Sequence, residues 1–324
     1  MTDGSARVLI VSARGDWSGL SVADRLAARG VNYSWLDPAD FPQRVVLAAR
    51  FEGSWAVRLT TPGGAIDLDD VVAVFYRRPG DFEMPPGLSA PELRFARAQA
   101  RVGLGGVLVS LPARWVNHPS SLADAEYKPH QLALAAAAGL VTPRTVVTND
   151  PEVVRAFADE VGDVVVKPLA EPIIYEAGTY TPVWTRRLSR PEMSDLAGVE
   201  VTAHLFQEWV EKVYEVRLTV VGDRFFPVAI VAGSDAARID WRSDYAALTY
   251  RRVECPDDVV AGVLRVLSAS RLRYGAFDFI VDRSGQWLFL ECNGSGQWGW
   301  LADECGLPVA DAIADELVGG GCDG

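Results

Sequence analysis

The chain has 324 residues, 49% of them hydrophobic and 23% charged, with a formal net charge of -12. That length is too great for one small core and predicts two or three compact lobes. The acidic balance excludes a general nucleic-acid binder, which needs a basic face to displace counterions, but it leaves room for phosphates held by a local basic cluster. The longest apolar runs, such as residues 71–76, fall far short of a membrane span, and no basic-then-apolar signal opens the chain. The four cysteines (Cys255, Cys292, Cys305, Cys322) have neither metal-ligand nor disulfide spacing, so a reducing cytoplasm is the expected setting.

In chain order, residues 7–12 read as a buried strand, 20–29 as a helix stopping at Gly30, 31–36 and 71–77 as strands, and 90–109 as a long helix. Strands alternating with helices predict an α/β lobe with a mainly parallel sheet, residues 1–118, closing at the Asn117-His118-Pro119 turn. A second α/β lobe, 119–202, opens with one helix from Ser120 to about Ala138. It continues with a strand near 144–147, a helix 151–161, a strand 164–167 and a hairpin turning near residues 176–178. The third lobe, 203–318, is strand-rich: 205–210, 214–221, 224–231, 276–281 and 286–291, with a polar loop from 233 to 246 and a helix 259–270. Residues 319–324 are expected to be a disordered tail.

The strongest local signal is Phe277-Asp278-Phe279-Ile280-Val281 followed by Trp287-Leu288-Phe289-Leu290-Glu291-Cys292-Asn293. A carboxylate inside an apolar strand is costly and must have a partner. If residues 282–285 form a simple turn, Asp278 pairs with Phe289, and Asp278, Phe289, Glu291 and Asn293 share a face. Asp278 and Glu291 are then diagonal neighbours, and with Asn293 they form a hard oxygen set of the kind magnesium takes beside phosphates. An odd-length loop or a bulge would break this parity. On the hairpin alone, ordinary edge carboxylates fit as well as a metal site.

Three lysines occur in the whole chain. Lys128 follows the Asn117 turn and Lys167 ends an apolar strand, both suited to phosphate. Glu208, Trp209 and Val210 stand at a strand end where backbone groups can meet an adenine edge, and Glu215 is placed for ribose hydroxyls. Arg217 shares the face of Glu215. Arg242 lies in the Arg238-Ile239-Asp240-Trp241-Arg242 loop and is a candidate for stabilising transferring charge. Taken singly, each of these also reads as an ordinary surface residue.

As an ordered set, Lys128, Lys167, Glu208-Trp209-Val210, Glu215-Val216-Arg217, Asp278 and Glu291-Cys292-Asn293 resemble the ATP-grasp superfamily from about Arg7 to Leu317. Phe75-Tyr76-Arg77-Arg78-Pro79, Ile239-Asp240-Trp241-Arg242 and Glu291-Cys292-Asn293-Gly294-Ser295-Gly296-Gln297-Trp298 are similar to the graspetide synthetases, the ATP-grasp maturases of ribosomal peptides related to the microviridin ring-forming ligases. The resemblance implies a three-lobed ATP-grasp fold of the α/β (α+β) class. It implies ATP on Lys128 and Lys167, adenine on Glu208, Trp209 and Val210, ribose on Glu215, and Mg2+ on Asp278, Glu291 and Asn293. It further implies lactone or lactam formation between Asp or Glu and Ser, Thr or Lys side chains of a precursor peptide, a docked leader segment and a homodimer. Many ATP-grasp enzymes carry a glycine-rich lid after the second lysine; here residues 167–188 hold only Gly178, so no lid contacts are assigned.

In the implied chemistry Arg217 and Arg242 steady the transferring charge while a carboxylate is activated as an acyl phosphate. Arg77 and Arg78, at a strand end of the first lobe, are candidates to face peptide carboxylates, with a structural ion pair equally open. Two other readings stand beside this one: a ligase adding free amino acids to a peptide or protein carboxylate, and a non-catalytic nucleotide binder.

Overall fold

The computed structural model describes residues 6–170, 173–176 and 178–319. The first sheet is built from β1 (Arg7–Ser12), β2 (Tyr33–Leu36), β6 (Val71–Arg77) and β7 (Arg114–Val116), all parallel, in the order β2-β1-β6-β7. Helix α1 (Trp17–Ala28) starts where the Asp16 carboxylate accepts from the Gly19 N–H at 2.7 Å. Between β2 and β6 lies an antiparallel meander that the periodicity did not reveal: β3 (Val46–Phe51), β4 (Trp55–Thr61) and β5 (Gly64–Asp67). Its strands bury only alternate residues such as Val57, Leu59 and Ile66 and leave Val46, Phe51 and Trp55 exposed, so no long apolar run marks them. Helix α2 (Ala90–Val109) opens with a capping box between Ser89 and Glu92.

The expected single helix after residue 118 is two: α3 (Pro119–Ala125) and α4 (Lys128–Ala137). Pro129 sits in the first turn of α4, where it has no need of an N–H, but it cannot continue a helix arriving from α3. Lys128 therefore stands at a helix start rather than mid-helix. The N-cap of α3 is His118, whose ring accepts from the Ser120 N–H, so the helix opens one residue before the expected Ser120. Then come β8 (Thr145–Thr148), α5 (Pro151–Val161), β9 (Val164–Lys167), the hairpin β10 (Ile173–Glu176) and β11 (Thr179–Pro182), β12 (Arg186–Arg187), α6 (Arg190–Ser194) and β13 (His204–Glu208). The second main sheet has the order β12-β9-β13-β8.

The third main sheet has the order β16-β15-β14-β17-β18, all antiparallel, from β14 (Lys212–Val221), β15 (Arg224–Ala232), β16 (Leu248–Arg252), β17 (Tyr274–Asp282) and β18 (Trp287–Asn293). Helix α8 (Asp257–Ala269) covers one face of it through Val259, Val263, Val266 and Leu267. The expected polar loop 233–246 contains α7 (Asp235–Ile239) and a tight helical turn at Trp241–Ser243, fixed because Trp241 is buried with Ile230, Ala237 and Leu248. Helix α9 (Gly299–Cys305) and helix α10 (Val309–Val318) close the chain. Ile313 and Leu317 share a core with Val8, Ile10, Leu26 and Phe75, so the last helix packs under the first sheet. The expected disordered tail lies, from residue 320, outside the described residues.

Candidate active site

The register of the β17–β18 hairpin decides which side chains meet. Val281 pairs with Trp287, not with Gln286, so the connection is one residue longer than a simple four-residue turn. That offset alone would set Asp278 against Leu290 and turn Glu291 and Asn293 toward the aromatic core. A bulge between Asp278 and Phe279 restores the parity: Phe279 pairs with Phe289, and Asp278 pairs with Glu291. The carboxylates are thus directly opposite rather than diagonal, and Asn293, opposite Ala276, shares their face. Phe289, expected on this face, instead joins Phe277 and Phe279 in the core on the other side.

Asp278 is 4% exposed, and its two oxygens are separately engaged. Arg217, its register partner on β14, donates to Oδ1 at 2.8 Å, and Arg242 donates to Oδ2 at 2.8 Å. Arg242 also reaches Glu291 at 3.2 Å, and Lys128 reaches the other Glu291 oxygen at 3.2 Å. Burial alone would raise the Glu291 carboxyl, but Lys128 and Arg242 outweigh it and hold it at about 2. Burial would likewise lower the Arg242 guanidinium, yet Asp278, Glu291 and Asp240 raise it above its ordinary value.

All three lysines converge here. Lys128 also donates to the Pro168 carbonyl at 2.7 Å, and Lys167 donates to the Gln207 side chain at 2.7 Å. Desolvation brings the Lys167 ammonium down to about 8, although Glu291 pulls the other way. Lys212, which sequence reasoning left unassigned, donates to Glu215 at 2.7 Å. Burial raises the Glu215 carboxyl despite this lysine. The scarcity of lysine was the signal that would have found Lys212.

Glu208 ends β13, and Trp209 and Val210 lie in the short link to β14, so the strand starts one residue before and ends two residues before the expected 205–210. The link joins the second and third sheets. Glu208 is tied to Arg144 through its backbone N–H at 3.0 Å and its carboxylate at 2.8 Å, and Trp209 N–H donates to Asp163 at 2.8 Å. The N–H and C=O of Val210 have no hydrogen-bond partner among the described residues, which leaves a backbone edge for a planar base.

Around this centre the structure adds residues that pattern reading passed over. Asp240 accepts from the N–H of Arg242 and of Thr185, each at 3.1 Å, and Trp241 lies under the Arg242 guanidinium at 4.5 Å. Gln131 bonds both backbone groups of Cys292, at 2.7 and 3.0 Å, and so fixes the strand between Glu291 and Asn293. The Asn117 amide, noted earlier only as a turn, bonds the Tyr274 and Gly294 carbonyls at 2.8 and 2.9 Å and accepts from the Arg273 and Tyr274 N–H groups. Gln131 and Asn117 have no spacing signature, because each acts across more than 150 positions of sequence, whereas Asp240 and Trp241 sit beside Arg242 in the motif already singled out.

Arg77 and Arg78 part company. Arg77 is 2% exposed and donates to the Ser295 and Gly296 carbonyls and to the Gln297 side chain, with Asp16 at 3.4 Å. Arg217 donates to the Gln297 carbonyl, so one loop joins Arg77 to the Asp278 centre. Gly296 is required there: a Cβ would stand 2.4 Å from Ala276 Cβ and 2.7 Å from Arg217 Nη2. Arg78 lies outside this brace, on the surface.

Magnesium fits this donor set. Asp278 and Glu291 oppose each other with oxygens that already attract cationic groups, and Asn293 Oδ1, which accepts from Ser295 N–H at 2.8 Å, retains a second lone pair.

A family model described as the MvdD pre-ATP grasp domain matches residues 7–123. A search of curated protein sequences found no match. Among solved structures, the RiPP-associated ATP-grasp ligase of Chryseobacterium gregarium, in complex with ADP and a leader and core peptide, is 28% identical; the alignment covers 98% of this chain and 97% of that one with a TM-score of 0.90. The macrocyclase MdnC of Microcystis aeruginosa MRC, bound with precursor peptide MdnA, is 27% identical over 97% and 99% of the two chains, with a TM-score of 0.86. The macrocyclase MdnB of the same organism is 28% identical over 96% and 99%, with a TM-score of 0.79. The chain has the fold of the ATP-grasp ligases, and its resemblance to those that act in ribosomal peptide maturation holds over nearly its whole length.

Proposed function

We propose that the protein is an ADP-forming ATP-grasp ligase that closes intramolecular ester or amide links between side chains of a ribosomally made precursor peptide. The observation that carries the reading is the convergence of Lys128, Lys167, Arg217 and Arg242 on the opposed carboxylates Asp278 and Glu291, within a chain similar throughout to ligases bound to ADP and peptides. An excess of fixed cations around two carboxylates suits a polyanion that brings its own metal.

In this reading Lys128 and Lys167 hold the triphosphate, Val210 and its neighbours Glu208 and Trp209 take the adenine edge, and Glu215 meets the ribose. Asp278, Glu291 and Asn293 hold Mg2+, which when bound neutralises phosphate charge. A peptide carboxylate attacks the γ-phosphorus, ADP leaves, and an acyl phosphate forms. A Ser or Thr hydroxyl, or a Lys amine, then attacks the acyl carbon; phosphate leaves, and the nucleophile's proton departs with it. Arg217 and Arg242, rigid and already charged, stabilise the transferring charge without reorganising. The reading keeps the lobes 1–118, 119–202 and 203–318. Its partner is a precursor peptide with a docking leader and a core of Thr, Ser or Lys with Asp or Glu, and the enzyme is a cytoplasmic homodimer. No helix among the described residues is long and apolar enough to cross a membrane.

The test is to look beside this chain's gene for a short reading frame rich in Thr and Asp or Glu near its end, and to follow that peptide by mass spectrometry after incubation with the protein, ATP and Mg2+. Loss of one water per bond formed, with ADP release, is the expected result. A gain of mass would mark amino-acid addition instead, and an unchanged peptide without ADP release would sink the reading.

A further inference from the structure

Arg78 is in an unfavourable backbone state. Its φ is +40°, in the left-handed region that a residue with a Cβ avoids. The fold holds it there: the Arg78 carbonyl accepts from Ala13 N–H at 3.2 Å, which ties the end of β6 to the loop before α1. The side chain is exposed, and its Nε donates to the Ser295 carbonyl at 3.2 Å, fixing the root of the guanidinium over the loop that follows β18. Among the described residues no carboxylate pairs with it. Asp16, a carboxylate whose charge acts on Arg78, is already engaged by Arg77 and by Gly19 N–H. Burial of part of the side chain and the neighbouring Arg77 lower its pKa, as for a cation short of negative charge.

Trp17 borders the same loop. It is 47% exposed, its ring lies 5.3 Å from the buried Trp298, and it covers Gly299 so closely that a Cβ there would stand 2.2 Å from the indole. Leu20, 48% exposed, follows one turn later on the same face of α1. The loop 295–299 therefore carries the buried Arg77 and Arg217 on its inner side, with the exposed Arg78 held at Ser295 and the exposed Trp17 ledge at Trp298 and Gly299. The ledge lies at the carboxyl ends of β1 and β6, where α/β lobes bind ligands. A strained cation with no carboxylate partner among the described residues is expected where a ligand supplies that partner.

We infer, resting on the peptide-ligase reading above, that Arg78 and Trp17 form a subsite for the peptide substrate: the Arg78 guanidinium takes a substrate carboxylate, and the Trp17–Leu20 ledge packs an adjacent apolar side chain. Arg77 braces the loop, and Arg78 reads the substrate. The carboxylate it holds is a neighbour of the one being activated, because the activated group must reach the Asp278 centre on the loop's inner side.

The decisive variant is Arg78→Gly in the full-length enzyme, assayed with ATP, Mg2+ and the peptide used above. Glycine suits a φ of +40°, so the thermal midpoint holds or rises. The KM for peptide is expected to rise about tenfold, the cost of one lost charge-assisted contact, while ADP affinity holds. Trp17→Ala raises the same KM by a smaller factor. Replacing peptide Asp or Glu residues singly with Asn or Gln identifies the carboxylate, since one such change will cost the wild type but not Arg78→Gly. An unchanged peptide KM in Arg78→Gly overturns the subsite, and so does a fall in thermal midpoint with matching losses for ATP and peptide, which would mark a structural arginine. Should Arg78→Gly fail to fold, Arg78→Lys and Arg78→Ala serve: a peptide KM partly retained with lysine and lost with alanine supports the subsite, and a wild-type KM in both variants overturns it. If the wild-type enzyme yields no dehydrated peptide, the function falls first; if it yields product and Arg78→Gly matches it, only the subsite falls.

Discussion

The two faces of the third sheet are made by the same strands and behave as opposites. On one, Phe277, Phe279, Phe289, Leu218 and Val263 form an aromatic and aliphatic core. On the other, one residue away along each strand, lie buried Glu215, paired with Lys212, and buried Arg217 and Asp278, which Arg242 links to the partly exposed Glu291. The apolar face gains stability from area removed from water, whereas the ionic face recovers desolvation only while every partner is present. The first face is thus built to tolerate change gradually and the second to fail as a unit, which suits a site whose cations must be held ready for an incoming polyanion.

The largest effect should come from breaking the ionic face. Asp278→Ala strips the partner from Arg217 and from one arm of Arg242. We expect a loss of at least about a thousandfold in kcat/KM and roughly 3–5 kcal/mol in stability, read by turnover and denaturant unfolding. Wild-type stability in this variant would deny the network its structural role. On the apolar face Phe289→Ala should cost about 3–5 kcal/mol through its cavity, but activity per folded molecule should stay near wild type, which an active-site titration would reveal. A specific loss of kcat there would mean that the faces are not separable.

Lys167 sharpens the contrast through pH. Its folded value of about 8 lies below the ordinary 10.5, so between these values the folded protein releases a proton that the unfolded chain retains. Stability from this group therefore rises with pH across that window. Nucleotide affinity runs the other way, because a triphosphate requires the charged lysine: it should fall by up to about tenfold per unit above pH 8, with proton uptake on binding visible by calorimetry in buffers of different ionisation enthalpy. A flat profile in Lys167→Arg and a sloping one in wild type is the expected pair of results. The smallest effect is Gln131→Ala, which frees two buried backbone groups of Cys292 and should cost about 1–3 kcal/mol, with a modest rise in the Mg2+ concentration needed for half-maximal activity.

Much of this was legible in order along the chain. The strand carrying Asp278, the isolated Lys167 at a strand end and the scarcity of lysine all mark buried charge, because a sequence that is otherwise apolar must have a reason to hold a carboxylate or ammonium there. What was not legible acts at a distance. Asn117 and Gln131 stabilise strands more than 150 positions away, and the meander from Val46 to Asp67 buries only a few side chains, such as Val57, Leu59 and Ile66, beside exposed aromatics.

By itself the sequence determined the residue types at the centre and the two-residue period that puts Asp278, Glu291 and Asn293 on one face. Only the tertiary structure decided how that face was reached. A connection one residue too long and a bulge at Leu290 offset each other, and neither is written in local preference, because bulges form where a strand must satisfy its partners. The same holds for the adjacent arginines. Two identical side chains were alike in the sequence, and the loop from Ser295 to Gly299 made one a buried brace and held the other, strained, at the surface with no carboxylate partner among the described residues.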